Sequence, residues 1–126
     1  MKEIAKKILL VDDEPDITYI VDFVLKNGGF DVKTINDSTT VLDEIKKSLY
    51  DLAILDLMMP NMDGFTLLEK IRKSNKPSTL PVLILSSRQL SNEEIDFLKN
   101  NGASIMAKPF EPQRLLDKVR EIVTEG

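Results

Sequence analysis

The sequence of 126 residues contains no cysteine and no histidine. Without cysteine there is neither a disulfide framework nor thiolate chemistry. Without histidine the commonest general base and the commonest transition-metal ligand are missing, so any bound metal is expected to be a hard cation held by oxygen. No apolar window approaches the length of a membrane span. Residues 1–7 are charged and too poor in apolar side chains for a signal peptide. Positive charge is not in excess either. The formal net charge is -4, which argues against a dedicated nucleic-acid face, since that needs clustered basic residues. Internal repeats, low-complexity segments and interdomain linkers are missing as well. These absences lead to the expectation of a soluble cytoplasmic domain, single over residues 1–126, with no membrane and no direct nucleic-acid partner.

What is present is a core. Apolar residues make up 42% of the chain and charged residues 30%, enough to bury an interior and solvate a surface. The most informative stretch begins at Leu52, Ala53, Ile54 and Leu55 and runs straight into Asp56. A short unbroken apolar run bounded by turn residues reads as a strand buried on both faces. Its terminal acid is then held at the lip of a sheet, where open α/β folds place their ligands. The turn Pro60, Asn61, Met62, Asp63, Gly64 follows, and a helical pattern starts.

The rest of the chain repeats this unit. Ile8 to Val11 form a second buried-strand run, ending in Asp12 and Asp13, and Glu14 and Pro15 open a helix. Ile17, Ile20, Val21, Val24 and Leu25 recur at helical spacing until Gly28 and Gly29 stop it. Residues 30–35 fit an outer strand. Asp37 and Ser38 are placed to cap a helix carrying Val41, Leu42, Ile45 and Leu49. Phe65, Leu67, Leu68 and Ile71 mark a third helix, followed by a polar loop over residues 73–81. Residues 82–85 read as a fourth strand ending in Ser86 and Ser87. Ser91 with Glu94 is a capping box for a helix carrying Ile95, Phe97 and Leu98, closed by Gly102. Residues 104–107 form a short fifth strand ending in Lys108 and Pro109, and Pro112 opens a last helix. Strand–helix alternation of this kind implies a parallel sheet with helices on both faces and right-handed crossovers.

Parallel strands bring their carboxyl ends to one edge. Asp12, Asp13, Asp56, Ser86 and Lys108 are therefore expected together, behind strands that are almost wholly apolar. Carboxylates packed side by side raise one another's pKa unless a cation sits among them. Mg²⁺ suits such a site, with Mn²⁺ as its substitute: a hard ion that keeps waters and leaves room for a phosphoryl oxygen. Three carboxylates, one Mg²⁺ and one lysine sum to no formal charge. Carboxylates that form aspartyl-phosphate are an established class of nucleophile, and phosphoryl transfer depends mainly on positioning and charge neutralisation, so a histidine base is not required. Each residue also has a plainer reading. Asp12 and Asp13 suit a helix N-terminus, Asp56 a turn, Ser86 a polar strand end and Lys108 a solvated surface. Asp63 is read as shaping its turn and capping the third helix. Met58, Met59 and Met62 suit packing. Phe97, Ile105, Met106 and Phe110 suit either packing or a partner surface.

Taken together, Val11-Asp12-Asp13-Glu14, the segment from Asp56 to Gly64, Ser86, and Lys108-Pro109-Phe110 resemble the receiver domains of two-component response regulators over nearly the whole chain. The resemblance implies a flavodoxin-like doubly wound fold of five parallel strands, order 2-1-3-4-5. It implies a switch rather than an enzyme, with Asp56 as phosphoacceptor from a histidine kinase or phosphotransfer protein. Asp12 or Asp13 or both, with Asp56 and the backbone carbonyl of Met58, would hold Mg²⁺, Asp13 being favoured as the direct ligand. Lys108 would pair with phosphoryl oxygens, Ser86 would hydrogen-bond them, and the Lys108–Pro109 peptide would be cis. The face of the fourth helix, fifth strand and fifth helix would engage a downstream protein or effector domain, and phosphorylation-dependent dimers occur among such domains. Three features depart from the usual pattern. Ile105 stands where many members carry an aromatic switch residue, the segment from Gly102 to Lys108 is one residue short, and Ser87 replaces a small Ala or Gly beside the approach to Asp56. Met58 and Arg88 hold positions that tune phosphate lifetime in the family.

Two other classes compete with this reading. An aspartate-nucleophile phosphatase resembling haloacid dehalogenases needs an acid two residues after the nucleophile, where this chain has Met58. A phosphorylation-independent pseudo-receiver usually lacks an acid, the nucleophile or the lysine, and this chain keeps all of them.

Overall fold

The computed structural model describes residues 5–74 and 79–125. Eleven elements follow in order: β1 (Lys7–Val11), α1 (Pro15–Asn27), β2 (Asp31–Ile35), a 3-10 turn (Ser38–Thr40), α2 (Val41–Lys47), β3 (Leu52–Asp56), α3 (Gly64–Lys73), β4 (Val82–Ser86), α4 (Asn92–Asn100), β5 (Ala103–Ala107) and α5 (Pro112–Glu125). The strands form one sheet, all parallel, in the order β2-β1-β3-β4-β5. This is the doubly wound α/β architecture expected from the sequence.

Two apolar layers explain why the sheet is buried. Leu9, Val11, Ala53, Leu55, Val82 and Ile84 face α2, α3 and α4. The alternate residues Ile8, Leu10, Leu52, Ile54, Leu83 and Leu85 face α1 and α5. A strand with both faces covered must be apolar at every position, and that is why β1, β3 and β4 show no alternation. Burying one such side chain contributes about 1.5–3 kcal/mol. The three central strands therefore hold a rigid frame, and their last residues inherit that rigidity.

The expected caps are found. The Ser91–Glu94 capping box opens α4, and the Asp63 carboxylate accepts from the Thr66 amide at the start of α3. Three local expectations fail. Asp37 caps the 3-10 turn through Thr39 rather than α2 itself. Helix α2 ends at Lys47, because Ser48 is already extended (φ -136°, ψ 152°) and leads the chain towards β3. Leu49 therefore lies beyond the helix and is 84% exposed. Ile20, at helical spacing with the α1 core residues, is also exposed. The loop expected over 73–81 begins where α3 closes, but residues 75–78 lie outside the described residues, as do residues 1–4 of the charged N-terminus. Among the described residues, no helix is long and apolar enough to cross a membrane.

Candidate functional site

Strand parity delivers the site. The alternation that turns Leu10 and Ile54 towards α1 and α5 continues to Asp12 and Asp56, two residues further along each strand. Met106 and Lys108 keep the same phase on β5. Ser86 has the opposite phase, shared with Val82 and Ile84. The β4–β5 register carries through Ser86 and Ala107, and the Lys108 amide then donates to the Ser86 carbonyl at 2.7 Å. The short segment before Lys108 thus forms a complete strand in register. The Lys108–Pro109 peptide is cis, as the resemblance implied.

The charged groups meet at this edge. Carboxylate oxygens of Asp12, Asp13 and Asp56 all lie within 4.8 Å of one another. Lys108 Nζ lies 3.1 Å from Asp12 Oδ2 and 3.2 Å from Asp56 Oδ1. Its side chain is only 7% exposed, and those of Asp12 and Asp56 are 0% and 4% exposed. Asp13 is exposed at the rim. Asp12 is held at both ends, because its Oδ1 also accepts from the Glu14 amide at 2.9 Å. It therefore serves both as a local turn acid and as part of the cluster.

Burial pushes the Asp56 carboxyl up, the neighbouring Asp12 charge adds to that, and Lys108 offsets only part, leaving its pKa at about 6. Burial alone would lower the Lys108 ammonium, but its hydrogen bond to Asp12 and the charges of Asp12 and Asp56 outweigh this and raise it. One buried cation thus sits among three acids. The donor set is all oxygen, crowded and short of positive charge, so the residues present fit a hard divalent cation. Receiver domains hold Mg²⁺ at an acidic pocket of this kind.

The loop after β3 shapes the approach. Gly64 donates its amide to the Leu57 carbonyl at 2.8 Å. A Cβ there would stand 2.9 Å from Leu57 Cα and 3.0 Å from the Asp56 carbonyl oxygen, so only glycine lets α3 start this close to the acid. Asn61 takes the left-handed conformation (φ 71°) in the turn between them. Met58 is 53% exposed above the edge, and Ser87 is exposed to solvent.

Two arrangements were not legible beforehand. Glu14 Oε1 lies 3.4 Å from Lys108 Nζ, making a third carboxylate contact from the N-cap of α1. Its position directly after two strand-end acids was the available signal. The Ser86 hydroxyl donates to the Arg88 carbonyl at 2.9 Å and so is turned to its own loop. Ile105 is half-buried and packs against the layer shared with α3 and α4. Among the described residues, every buried side-chain nitrogen and oxygen has a partner.

Comparison with known proteins agrees with this geometry. Residues 8–120 match the response regulator receiver domain family. The regulatory protein VanRc of Enterococcus gallinarum is 37% identical over 116 residues, covering 92% of this chain and 49% of that protein. The chain spans about half the length of the relatives it matches by sequence. Among solved structures, the chemotaxis protein CheY4 of Vibrio cholerae superposes with a TM-score of 0.87 at 31% identity, covering 94% of this chain and 99% of that one. A CheY-like receiver domain protein from Methanospirillum hungatei gives a TM-score of 0.88 at 30% identity, covering 97% and 96%. With the family match spanning residues 8–120 and the sheet in the order 2-1-3-4-5, the chain belongs to the receiver domains of two-component response regulators.

Proposed function

We propose that Asp56 is the phosphoacceptor of a phosphorylation-dependent switch, receiving its phosphoryl group from a histidine kinase or a phosphotransfer protein. The observation that carries this is the Lys108 ammonium, buried and 3.2 Å from Asp56 Oδ1 beside a cluster of three carboxylates. Asp56 is held in place by a fully buried strand, so the carboxylate is already oriented when a donor arrives. An oxygen of Asp56 forms the bond to phosphorus as the phosphorus–nitrogen bond of the donor histidine breaks, and the proton needed by the leaving imidazole comes from the donor or solvent. Lys108 stays close to the reacting oxygens and stabilises the charge gathering on them.

Asp13, Asp12, Asp56 and the Met58 carbonyl would hold the Mg²⁺. When bound, that ion would supply the remaining positive charge needed to offset the phosphoryl oxygens. Asp12, paired with Lys108 Nζ at 3.1 Å, helps keep Lys108 in place beside Asp56. The downstream partner, a separate protein or an effector domain, would read the face of α4, β5 and α5, whose position shifts with phosphorylation.

Intact-mass analysis after incubation with acetyl phosphate and Mg²⁺ tests the acceptor. Wild type is expected to gain one phosphoryl group and Asp56→Asn none, with both folded. No gain by folded wild type, or an equal gain by Asp56→Asn, would contradict the assignment.

A further inference from the structure

The Ser86 hydroxyl has one proton to donate. Here it goes to the Arg88 carbonyl at 2.9 Å, and the Arg88 amide approaches the same oxygen at 3.3 Å. The backbone of Arg88 therefore brackets Ser86 from both sides. A phosphoryl oxygen on Asp56 that receives the Ser86 proton must take it from Arg88, since both acceptors cannot hold it at once.

The side chain of Arg88 is itself fastened. Its Nη1 and Nη2 reach Glu94 Oε1 and Oε2 at 3.0 and 2.7 Å, and Nη1 also donates to the Gln89 carbonyl at 3.3 Å. Two parallel bonds fix the direction of a guanidinium as well as its distance. Glu94 is the third residue of α4 and belongs to the capping box. Its Oε1 accepts from the Ser91 amide at 2.9 Å, and its own amide donates to Ser91 Oγ at 3.1 Å. One turn further on, Leu98 is buried and Phe97 meets Phe65 of α3 edge-on, ring centroids 6.0 Å apart. A continuous polar chain thus runs from Ser86 through Arg88 to the first turn of α4. Position 105 is an isoleucine, half-buried against the α3–α4 layer, so this chain links the acidic edge to α4 without an aromatic rotamer.

We infer that the Arg88–Glu94 ion pair couples the Ser86 hydroxyl to α4, by holding the Arg88 backbone where it retains the proton that the phosphorylated site requires. Arg88 and Glu94 are positioning residues that favour the unphosphorylated arrangement. Loosening the pair frees the Ser86 proton, and drawing Ser86 towards Asp56 releases the first turn of α4. The inference rests on Asp56 being the phosphoacceptor, as proposed above.

The test uses the full chain with Mg²⁺ and beryllofluoride as a stable stand-in for the phosphoryl group, with affinity read from backbone amide shifts. The Arg88 and Glu94 side chains are 42% and 30% exposed, so solvent screens the pair and its loss is expected to change affinity by only about two- to fivefold. Arg88→Ala and Glu94→Ala are each expected to bind beryllofluoride tighter by that factor, with no further gain in the double variant. Ser91→Ala removes the capping hydroxyl but leaves the ion pair, so it reports the effect of weakening the helix cap alone and is expected to change affinity less. In a Ser86→Ala background, Arg88→Ala is expected to change nothing. Unaltered affinity in Arg88→Ala, an equal effect of Ser91→Ala, or an effect that survives Ser86→Ala would overturn the coupling. Failure of wild type to bind beryllofluoride at all would overturn the phosphoacceptor reading beneath it, a separate and distinguishable result.

Discussion

The two edges of the sheet treat charge in opposite ways. At the amino edge, the Lys7 amide donates to Asp51 at 2.8 Å, Tyr50 donates to Glu44 at 2.5 Å, and Lys7 Nζ lies 5.5 Å from the centre of the Tyr50 ring. These charges are solvated and locally matched. At the carboxyl edge, Asp12 and Asp56 are buried with Lys108, and acid outnumbers base. Water relieves the first cluster, whereas only another cation relieves the second. Natural folds tolerate such an imbalance where the chemistry uses it, so the difference locates function on one edge of an otherwise uniform sheet.

The largest effect should come from removing the buried cation. Lys108→Met keeps an apolar stem and leaves two buried carboxylates facing each other. A loss of about 3–5 kcal/mol at pH 7 is expected, the cost of breaking a buried pair from one side. Urea unfolding measures it, and Mg²⁺ should restore part of the loss.

Removing an acid should act in the other direction. Asp56 has an ordinary pKa of 3.8 and stands at about 6 in the fold. The folded state therefore holds the proton more tightly than the unfolded chain. Ionising Asp56 costs stability, with no cost below about pH 4 and the full cost above about pH 6. Without divalent cations, Asp56→Asn is expected to be more stable than wild type by about 1–3 kcal/mol at pH 7. Lys108 keeps Asp12 and Glu14 as partners in that variant. The gap should close as pH falls from 6 to 4, and unfolding curves across that range would show whether it does.

The smallest effect belongs to the amino edge. Tyr50→Phe deletes one part-buried hydrogen bond to Glu44, so about 1 kcal/mol or less should be lost. Phosphoryl uptake from acetyl phosphate should be unchanged. A marked fall in uptake would mean that the two edges are not independent.

Much of this contrast is legible in the sequence, for a simple reason. Apolar runs at 8–11, 52–55 and 82–85 leave little choice but buried parallel strands, and the polar residues that end them must share an edge. Asp12, Asp56 and Ser86 follow from that alone, and Lys108 joins them at the end of the fifth strand. Leu49 misleads because helical spacing continues past Lys47 while the chain has already turned at Ser48. Glu14 was hidden because an acid at a helix start has a sufficient local explanation. The partner of Ser86 was hidden because a hydroxyl's direction depends on the path of its loop. Arg88 and Glu94 lie six residues apart, one in a loop and one in a helix, and no regular period joins them.

The charge imbalance around Asp56 is what sets the carboxyl edge apart. Its most direct test is a ¹³C NMR titration of the Asp56 carboxyl carbon, with and without Mg²⁺. A midpoint near about 6 without the ion, moving well down when Mg²⁺ is added, is the expected result. A midpoint near the ordinary 3.8 that Mg²⁺ leaves in place would contradict the central claim.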